Sequence, residues 1–314
     1  MEHLSKQILA DYQVRKTTKQ KTQFIEFLSN ELSKSGIRLT IEQGGLVNSR
    51  NLVIGDVEKA KVLYTAHYDT APRLPFPNFI TPQNMLVYGL FVFGIGLLFF
   101  VILVFFEVLL LFMTGHSSIP RIFPYIMTIG VCTLMLFGPA NKHTVNDNTS
   151  GVITLIETML AMSEEQRSAT AFVFFDHEEI GLFGSHYFAK QHRKHLVNTP
   201  VINFDCVSDG DTILLITKPA IEKQIRPQLI ECYPSTKQKE VIVTSQKGTF
   251  YPSDQRQFKT GIGVAAFRKK RWIGLYLSRI HTMKDTILQE ENIELLKTGN
   301  LRLTDCLIAD NSTL

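Results

Sequence analysis

Five short polar clusters in this chain carry residue types that do chemistry together. In order they are TAHYDT with His67 and Asp69, VNDNTSG with Asp147, FFDHEEIGLFGS with Glu178 and Glu179, INFDCVSDG with Asp205, and RIHTMKDT with His281. Two histidines and several carboxylates form a nitrogen/oxygen donor set that suits Zn2+, with Co2+ or Mn2+ able to use the same donors. One catalytic zinc needs three protein ligands and an open position. This set offers more, and one carboxylate can bridge, so it has room for two ions about 3.5–4 Å apart that clamp a hydrolytic water and the group being cleaved. In the adjacent pair Glu178–Glu179, one glutamate can bind metal while its neighbour, Glu178, moves the proton from the attacking water to the leaving amine. Asp69, two residues past His67, can accept the free imidazole N–H and fix the ring. Each signal is weak alone. An HxD pair occurs by chance, two glutamates usually mark a solvated helix face, a strand-end aspartate is often a cap, and a single histidine usually sits on the surface. The joint occurrence of all five, each beside an apolar run, carries the reading.

Those clusters need elements to hold them. The spacing predicts an amphipathic helix over Thr22–Ser33 with a C-terminal stop at Gly36. It predicts further helices over Val152–Met162, Glu179–Gln191, Ile221–Cys232 and Glu290–Ile308. Short β-like runs fall at Ile37–Ile41, Asn51–Ile54, Val62–Ala66, Ala171–Phe175, Val201–Phe204, Ile213–Ile216, Val241–Val243, Gly263–Phe267 and Ile273–Leu277. Strands alternating with helices imply an α/β sandwich around a mixed, mostly parallel sheet. In such sheets ligands bind beyond the carboxyl ends of the strands, where several of the polar clusters fall.

The composition then divides the chain. Over all 314 residues, 45% are hydrophobic and 20% charged, which excludes a disordered polymer. Roughly 38 of the 54 residues from Met85 to Gly138 are hydrophobic, against about 40% of the remainder, the share of an ordinary soluble domain. No charge occurs between Arg73 and Glu107, and the run from Met85 to Phe106 is about the 20 residues that span a hydrocarbon core. A second, less oily run extends from Ile122 to Pro139. We therefore expect residues 81–139 to be a transmembrane helical hairpin, inserted into a discontinuous catalytic domain of residues 1–80 and 140–314. A buried core hairpin is the competing reading, but Leu97–Phe106 is apolar all round rather than striped. Glu107 is expected at the far interface. The N-terminal residues show no signal peptide, so the expected location is a plasma or inner membrane, with the catalytic part cytosolic. The net charge of +4 is too small to argue for nucleic acid. Four cysteines without CxxC spacing suggest neither a disulfide framework nor a cysteine metal site.

The order of the clusters resembles that in the di-zinc aminopeptidases of Peptidase family M28, clan MH. The resemblance rests on AHYDT at 66–70, NDNTSGV at 146–152, FFDHEEIGLFGS at 174–185, NFD at 203–205, YPSDQRQF at 251–258 and IHTMKDT at 280–286. It covers nearly the whole chain apart from the apolar insert. It implies a three-layer αβα phosphorylase/hydrolase-like fold, two Zn2+ ions and removal of the N-terminal residue of a peptide substrate. By position, His67 and Asp205 correspond to the ligands of one zinc, Glu179 and His281 to those of the other, Asp147 to the bridge and Glu178 to the general acid/base. The family often has a cis peptide after the bridging aspartate, here Asp147–Asn148.

There are departures. His177 stands where the family commonly has a small residue. Ile280 stands beside the metal histidine, where some relatives place an oxyanion-stabilising tyrosine, so Tyr251 is the candidate for that role. The insert falls between Asp69 and Asp147, where relatives have a short loop, so it is expected to emerge at the rim of the site, close to the lipid bilayer. Competing readings are a single-zinc glutaminyl cyclase of the same clan, a carboxypeptidase that uses Arg256 or Lys269–Arg271 for an acidic C-terminus, a non-catalytic membrane receptor or adaptor, and a transporter. Oligomeric state, native metal and side-chain preference are open at this level.

Overall fold

Two strands set the architecture. Every residue of Val62–His67 and of Thr170–Phe175 is buried, which requires a sheet covered on both faces. The computed structural model describes residues 1–115 and 118–309. Its strands are β1 (Leu39–Gly44), β2 (Ser49–Ile54), β3 (Val62–His67), β4 (Thr170–Phe175), β5 (Val201–Phe204), β6 (Thr212–Thr217), β7 (Glu240–Ser245), β8 (Gly261–Lys270) and β9 (Gly274–Tyr276). Its α-helices are α1 (His3–Asp11), α2 (Thr18–Lys34), α3 (Met85–Thr114), α4 (Ser118–Phe137), α5 (Ser150–Ala161), α6 (Glu164–Ser168), α7 (Phe183–Gln191), α8 (Pro219–Cys232) and α9 (Glu290–Ala309).

The strands form one sheet in the order β1-β2-β4-β3-β5-β8-β6-β7, with β9 paired to β8. The four central strands β4, β3, β5 and β8 are mutually parallel. Antiparallel pairs flank them, β2 on β4 and β6 on β8. The sheet is thus mixed, with its parallel part at the centre, where the site lies.

Alternation along each strand builds the two covered faces. Val62, Tyr64 and Ala66 of β3 join Phe172 and Phe174 of β4 against Phe24 and Leu28 of α2, Ile156 of α5, Leu229 of α8 and Leu296 of α9. Leu63, Ala171, Val173 and Phe175 point the other way, against Phe188 of α7 and Phe258. Each fully buried side chain of this kind stabilises by roughly 1.5–3 kcal/mol. The result is the expected three-layer αβα sandwich.

Several boundaries differ from the sequence expectation. The helix α2 begins at Thr18, because Thr17 and Gln20 form a reciprocal capping box; Gly36, at φ 71°, follows its end. Helix α1, whose Leu4, Ile8 and Leu9 pack on the core, has no counterpart among the expected elements. The helix expected from Glu179 starts only at Phe183, because Gly181 (φ 129°) and Leu182 (φ 60°) break the helical backbone. The glutamate pair therefore lies in a turn and not on a helix face.

The insert projects from this body. Helix α3 runs 30 residues and buries none of them, which does not fit a core helix. At 1.5 Å per residue it is about 45 Å long. Its length and composition suffice to cross a membrane, whereas Arg121–Phe137 is apolar but shorter. The helix continues past Glu107 to Thr114, where Gly115 in the left-handed region ends it. Phe106 and Phe123 approach to 6.1 Å between ring centroids where α3 and α4 pack. The two roots of the insert meet the same side of the body. Pro72 pairs with Ala140, and the Arg73 N–H donates to the Pro139 carbonyl at 2.8 Å.

Candidate metal centre

Strand register brings the polar clusters together. His67, the last residue of β3, lies opposite Phe175 of β4, and Thr65 lies opposite Asn203 of β5. The residues that follow, Asp69, Glu178–Glu179 and Asp205, therefore leave the sheet side by side at its carboxyl edge. Asp147 comes from the turn Val145–Thr149 just before α5, and His281 from the loop after β9. The Asp147–Asn148 peptide is cis. His177 (φ 57°), Cys206 (φ 58°) and His281 (φ 61°) adopt left-handed backbone beside the candidate ligands. For residues other than glycine, that conformation persists only where the surroundings hold it.

Asp147 sits at the centre. Its Oδ1 is 3.3 Å from His67 Nε2 and its Oδ2 is 3.0 Å from His281 Nε2. His67 Nε2 is also 3.7 Å from Asp205 Oδ1, and His281 Nε2 is 3.4 Å from Glu179 Oε2. Two donor sets result, His67–Asp147–Asp205 and Asp147–Glu179–His281, sharing Asp147; a further set joins His67, Glu178 and Glu179.

Hydrogen bonds hold these backbones in place. Asp69 accepts the N–H of Glu178 on Oδ1 at 3.0 Å and that of Glu179 on Oδ2 at 3.2 Å. Its Oδ1 lies 3.5 Å from His67 Nδ1, so it faces the ring while gripping the glutamates. Asn148 donates to the Phe204 carbonyl at 2.9 Å and accepts from the Gly151 N–H at 3.0 Å. A Cβ at Gly151 would lie 2.4 Å from both Asn148 Oδ1 and the Phe204 oxygen, so only glycine allows this approach. Arg15 is fully buried behind the site. Its Nε donates to the Tyr68 carbonyl at 2.5 Å and its guanidinium reaches Thr149 Oγ1.

Three supporting residues have no role in the sequence reading. Asp285 accepts the N–H of Asn146 at 2.7 Å and of Asp147 at 3.0 Å. It lies four residues past His281 in the same motif, which is the signal that marks it. Asp254 is fully buried, and neither of its oxygens has a hydrogen-bond partner among the described residues. Arg15 carries no sequence signal, since nothing distinguishes it from a surface arginine.

Tyr251 is brought to the neighbourhood but in another posture. Its buried hydroxyl donates to the Asp205 backbone carbonyl at 3.1 Å. That bond uses its one proton, so an oxyanion would obtain it only by exchange. His177 is held at 3.0 Å from Ser49 Oγ and belongs to none of the donor sets. Lys269 and Lys270 end β8 and Arg271 opens the turn to β9, and none of them belongs to the donor sets; Arg256 lines a cavity of about 290 Å³ with Tyr251 and Met85.

The electrostatics separate the carboxylates. Burial pushes the Asp147 carboxyl up, but hydrogen bonds from His281 and His67 outweigh it and leave it below the usual range. Asp69 is likewise opposed by burial and brought down by His67 and Lys21 to about 2. Glu178 rises well above the usual range, through burial first and then Glu179 and Asp254, with His67 pulling against it. Burial and Asp147 raise Glu179 in the same way.

This donor set fits a divalent metal. Asp147, Asp205, Glu178 and Glu179 crowd together, and among the described residues no lysine or arginine pairs with any of them. Glu179 Oε1 and Asp205 Oδ1 are buried without a hydrogen-bond partner among the described residues. Orphaned buried acceptors of this kind are costly unless a cation meets them.

Comparison with known proteins bears on the fold and the family. No curated protein matches the sequence. The fold is similar to that of the LapA aminopeptidase of Legionella pneumophila, at 12% identity and a TM-score of 0.57, covering 96% of this chain and 68% of that one. It is similar to the glutaminyl cyclase of Porphyromonas gingivalis, at 14% identity and a TM-score of 0.56, covering 96% of this chain and 95% of that one. A glutaminyl cyclase of Macrostomum lignano aligns at 10% identity and a TM-score of 0.57, over 98% of this chain and 89% of that one. At such identities these likenesses establish the fold alone. Residues 130–303, more than half of the chain, match Peptidase family M28, and the protein belongs to that family.

Proposed function

We propose that the chain is a membrane-anchored, zinc-dependent aminopeptidase that removes the N-terminal residue of peptides. The observation that supports this most is Asp147, whose two oxygens face the Nε2 atoms of His67 and His281 at 3.3 and 3.0 Å. A carboxylate shared between two histidine–carboxylate sets suits a pair of ions. His67 and Asp205 would hold one Zn2+, Glu179 and His281 the other, and Asp147 both. When bound, zinc supplies a Lewis acid that polarises the scissile carbonyl and lowers the pKa of water.

The chain's own groups do the rest. Glu178 takes a proton from the attacking water on a carboxylate oxygen and delivers it to the leaving amine nitrogen. Its burial among carboxylates raises its proton affinity, which suits a group that must hold that proton between the two steps. Asp69 keeps Glu178 and Glu179 in register through their N–H groups.

In this reading residues 1–80 and 140–314 form the catalytic body, and residues 81–139 anchor it in a plasma or inner membrane with the body on the cytosolic side. That α3 buries none of its apolar residues supports the anchor. Because Arg73 bonds Pro139 at the end of the insert and the next residue, Leu74, donates its N–H to the His281 carbonyl at 2.9 Å, peptides close to the bilayer are the expected substrates.

A second reading is a glutaminyl cyclase-like activity, favoured by the fold likeness over 95% of the Porphyromonas gingivalis chain. One experiment separates the two. Metal content and aminoacyl-p-nitroanilide hydrolysis are measured on detergent-purified wild type and Glu178→Gln. About two zinc ions per chain, with metal kept and hydrolysis lost in the variant, supports the two-metal aminopeptidase. One ion, no hydrolysis and cyclisation of a glutaminyl peptide supports the cyclase. No metal and no activity after reloading with zinc would leave a receptor or adaptor on this fold.

A further inference from the structure

We propose that the β8–β9 turn is a second membrane contact, which seats Lys270, Arg271 and Trp272 among the headgroups of anionic phospholipids. The proposal rests on the reading of α3 as a membrane-spanning helix.

The geometry begins at the root of α3. Asn84 caps this helix by accepting the Val87 N–H at 3.2 Å. The same side chain donates from Nδ2 to the Ile273 carbonyl at 3.1 Å. The residue that starts the apolar helix is therefore tied to the residue next to Trp272. Direction follows from the pairing upstream. Ile80 and Leu277 form an antiparallel bridge, with Ile80 N–H to Leu277 oxygen at 3.1 Å and the reverse bond at 2.9 Å. Moving from Ile80 to Asn84 is thus moving from Leu277 to Ile273. Beyond that point one segment becomes α3 and the other becomes the turn, so the turn is the far end of this ladder on the side α3 enters. Phe79 adds to the joint, with its ring 4.9 Å from Phe91 of α3 and 6.2 Å from Tyr276 of β9.

The chemistry of the turn fits that level. Trp272 is 79% exposed, a large apolar ring left uncovered by the body. Arg271 lies over it, 5.2 Å from the ring centroid. Lys270 and Arg271 are exposed; Arg268 faces Asp209 at 3.8 Å and Lys269 faces Glu240 at 3.3 Å, whereas neither Lys270 nor Arg271 has a carboxylate partner among the described residues. Indole rings favour the membrane–water interface, and lysine and arginine close to a span favour an anionic leaflet. The other root of the insert carries the same sign. Arg73 and Lys142 are exposed there, and Lys16 Nζ lies 3.5 Å from the Leu136 carbonyl at the end of α4.

Trp272 is the single tryptophan of the chain, so fluorescence excited at the red edge, where tyrosine does not absorb, reports this turn alone. The full-length protein is reconstituted into vesicles of phosphatidylcholine, with and without phosphatidylglycerol, carrying acyl chains brominated near the headgroup. The expected result is a blue shift of emission, quenching by the brominated lipid that is stronger with phosphatidylglycerol, and protection from aqueous acrylamide. In Lys270→Gln/Arg271→Gln the difference between the two lipid compositions should disappear, with hydrolytic activity and resistance to alkaline carbonate extraction unchanged. Equal quenching of wild type in both compositions would overturn the headgroup assignment. Acrylamide access without lipid quenching, in protein that still resists carbonate, would overturn the contact while sparing the anchor. Release of wild type by carbonate would overturn the spanning helix and this contact with it.

Discussion

Asp285 grips the backbone that carries Asp147. One carboxylate oxygen accepts the Asn146 N–H at 2.7 Å and the other accepts the Asp147 N–H at 3.0 Å. Asp147 in turn stands between the two histidines, so Asp285 fixes the candidate bridge without entering either donor set. Hydrogen bonds to a charged acceptor contribute about 1.5–3 kcal/mol each. Asp285→Ala should lower the thermal midpoint and the zinc retained after dialysis. Asp285→Asn, which keeps one accepting oxygen, should fall between. Zinc retention equal to wild type in the alanine variant would show that Asp147 holds its place unaided.

Asp69 has the same function on the opposite wall, with a further contact to the ring of His67. Outer partners of this kind typically change metal affinity or activity by about 10- to 100-fold when removed. Asp69→Asn should lose roughly that much in kcat or zinc affinity, while Asp69→Ala should lose more because both glutamate N–H groups lose their acceptor. The check is a zinc titration read beside kcat. A rise in KM alone, with kcat and zinc binding intact, would argue against a positioning role.

Lys21 and Asp176 form an ion pair with side chains 5% and 1% exposed. Asp176 also accepts the N–H groups of Arg50 at 3.1 Å and His177 at 2.9 Å, and so anchors the start of the glutamate turn. Removing one partner of a buried pair leaves an uncompensated charge, a cost of about 3–5 kcal/mol. Lys21→Met should show that loss in denaturant titration. Lys21→Met combined with Asp176→Asn should recover part of it, and strict additivity of the two would refute the pairing.

Asp254 gives a pH dependence. Burial pushes its carboxyl up to about 7, with His67 opposing and Asp69 and Asp205 reinforcing. Below about pH 4 the group is protonated in both folded and unfolded chains. Between about pH 4 and about pH 7 the unfolded carboxyl ionises while the folded one keeps its proton, so stability falls as pH rises through that window. Each pH step of one across the window costs about 1.4 kcal/mol. Asp254→Asn removes this contribution. Melting curves of chelator-treated protein should therefore show the variant gaining on wild type from acidic to neutral pH. A constant difference across the window would mean that Asp254 is ionised in the folded state.

Local pattern is enough to specify most of the elements of this chain and its candidate site residues. Full burial of β3 and β4 is legible as unbroken apolar runs, and the five polar clusters are legible because each stops such a run. The oily insert is legible because residues 85–106 lack any charge and any stripe. Which of these residues meet is a matter of packing. The parallel register of β4, β3 and β5 places His67, Glu178–Glu179 and Asp205 on one edge, and strand order is set by packing of whole faces rather than by any short run. The fold also brings Asp285 under Asp147 and Arg15 behind it, through contacts that join segments 138 and 134 residues apart. The glutamate turn reads as a helix in the sequence, but that periodicity yields to two residues of positive φ, Gly181 and Leu182. The level of Trp272 at the root of α3 has no local signature, because it depends on Asn84 reaching across 189 positions to Ile273.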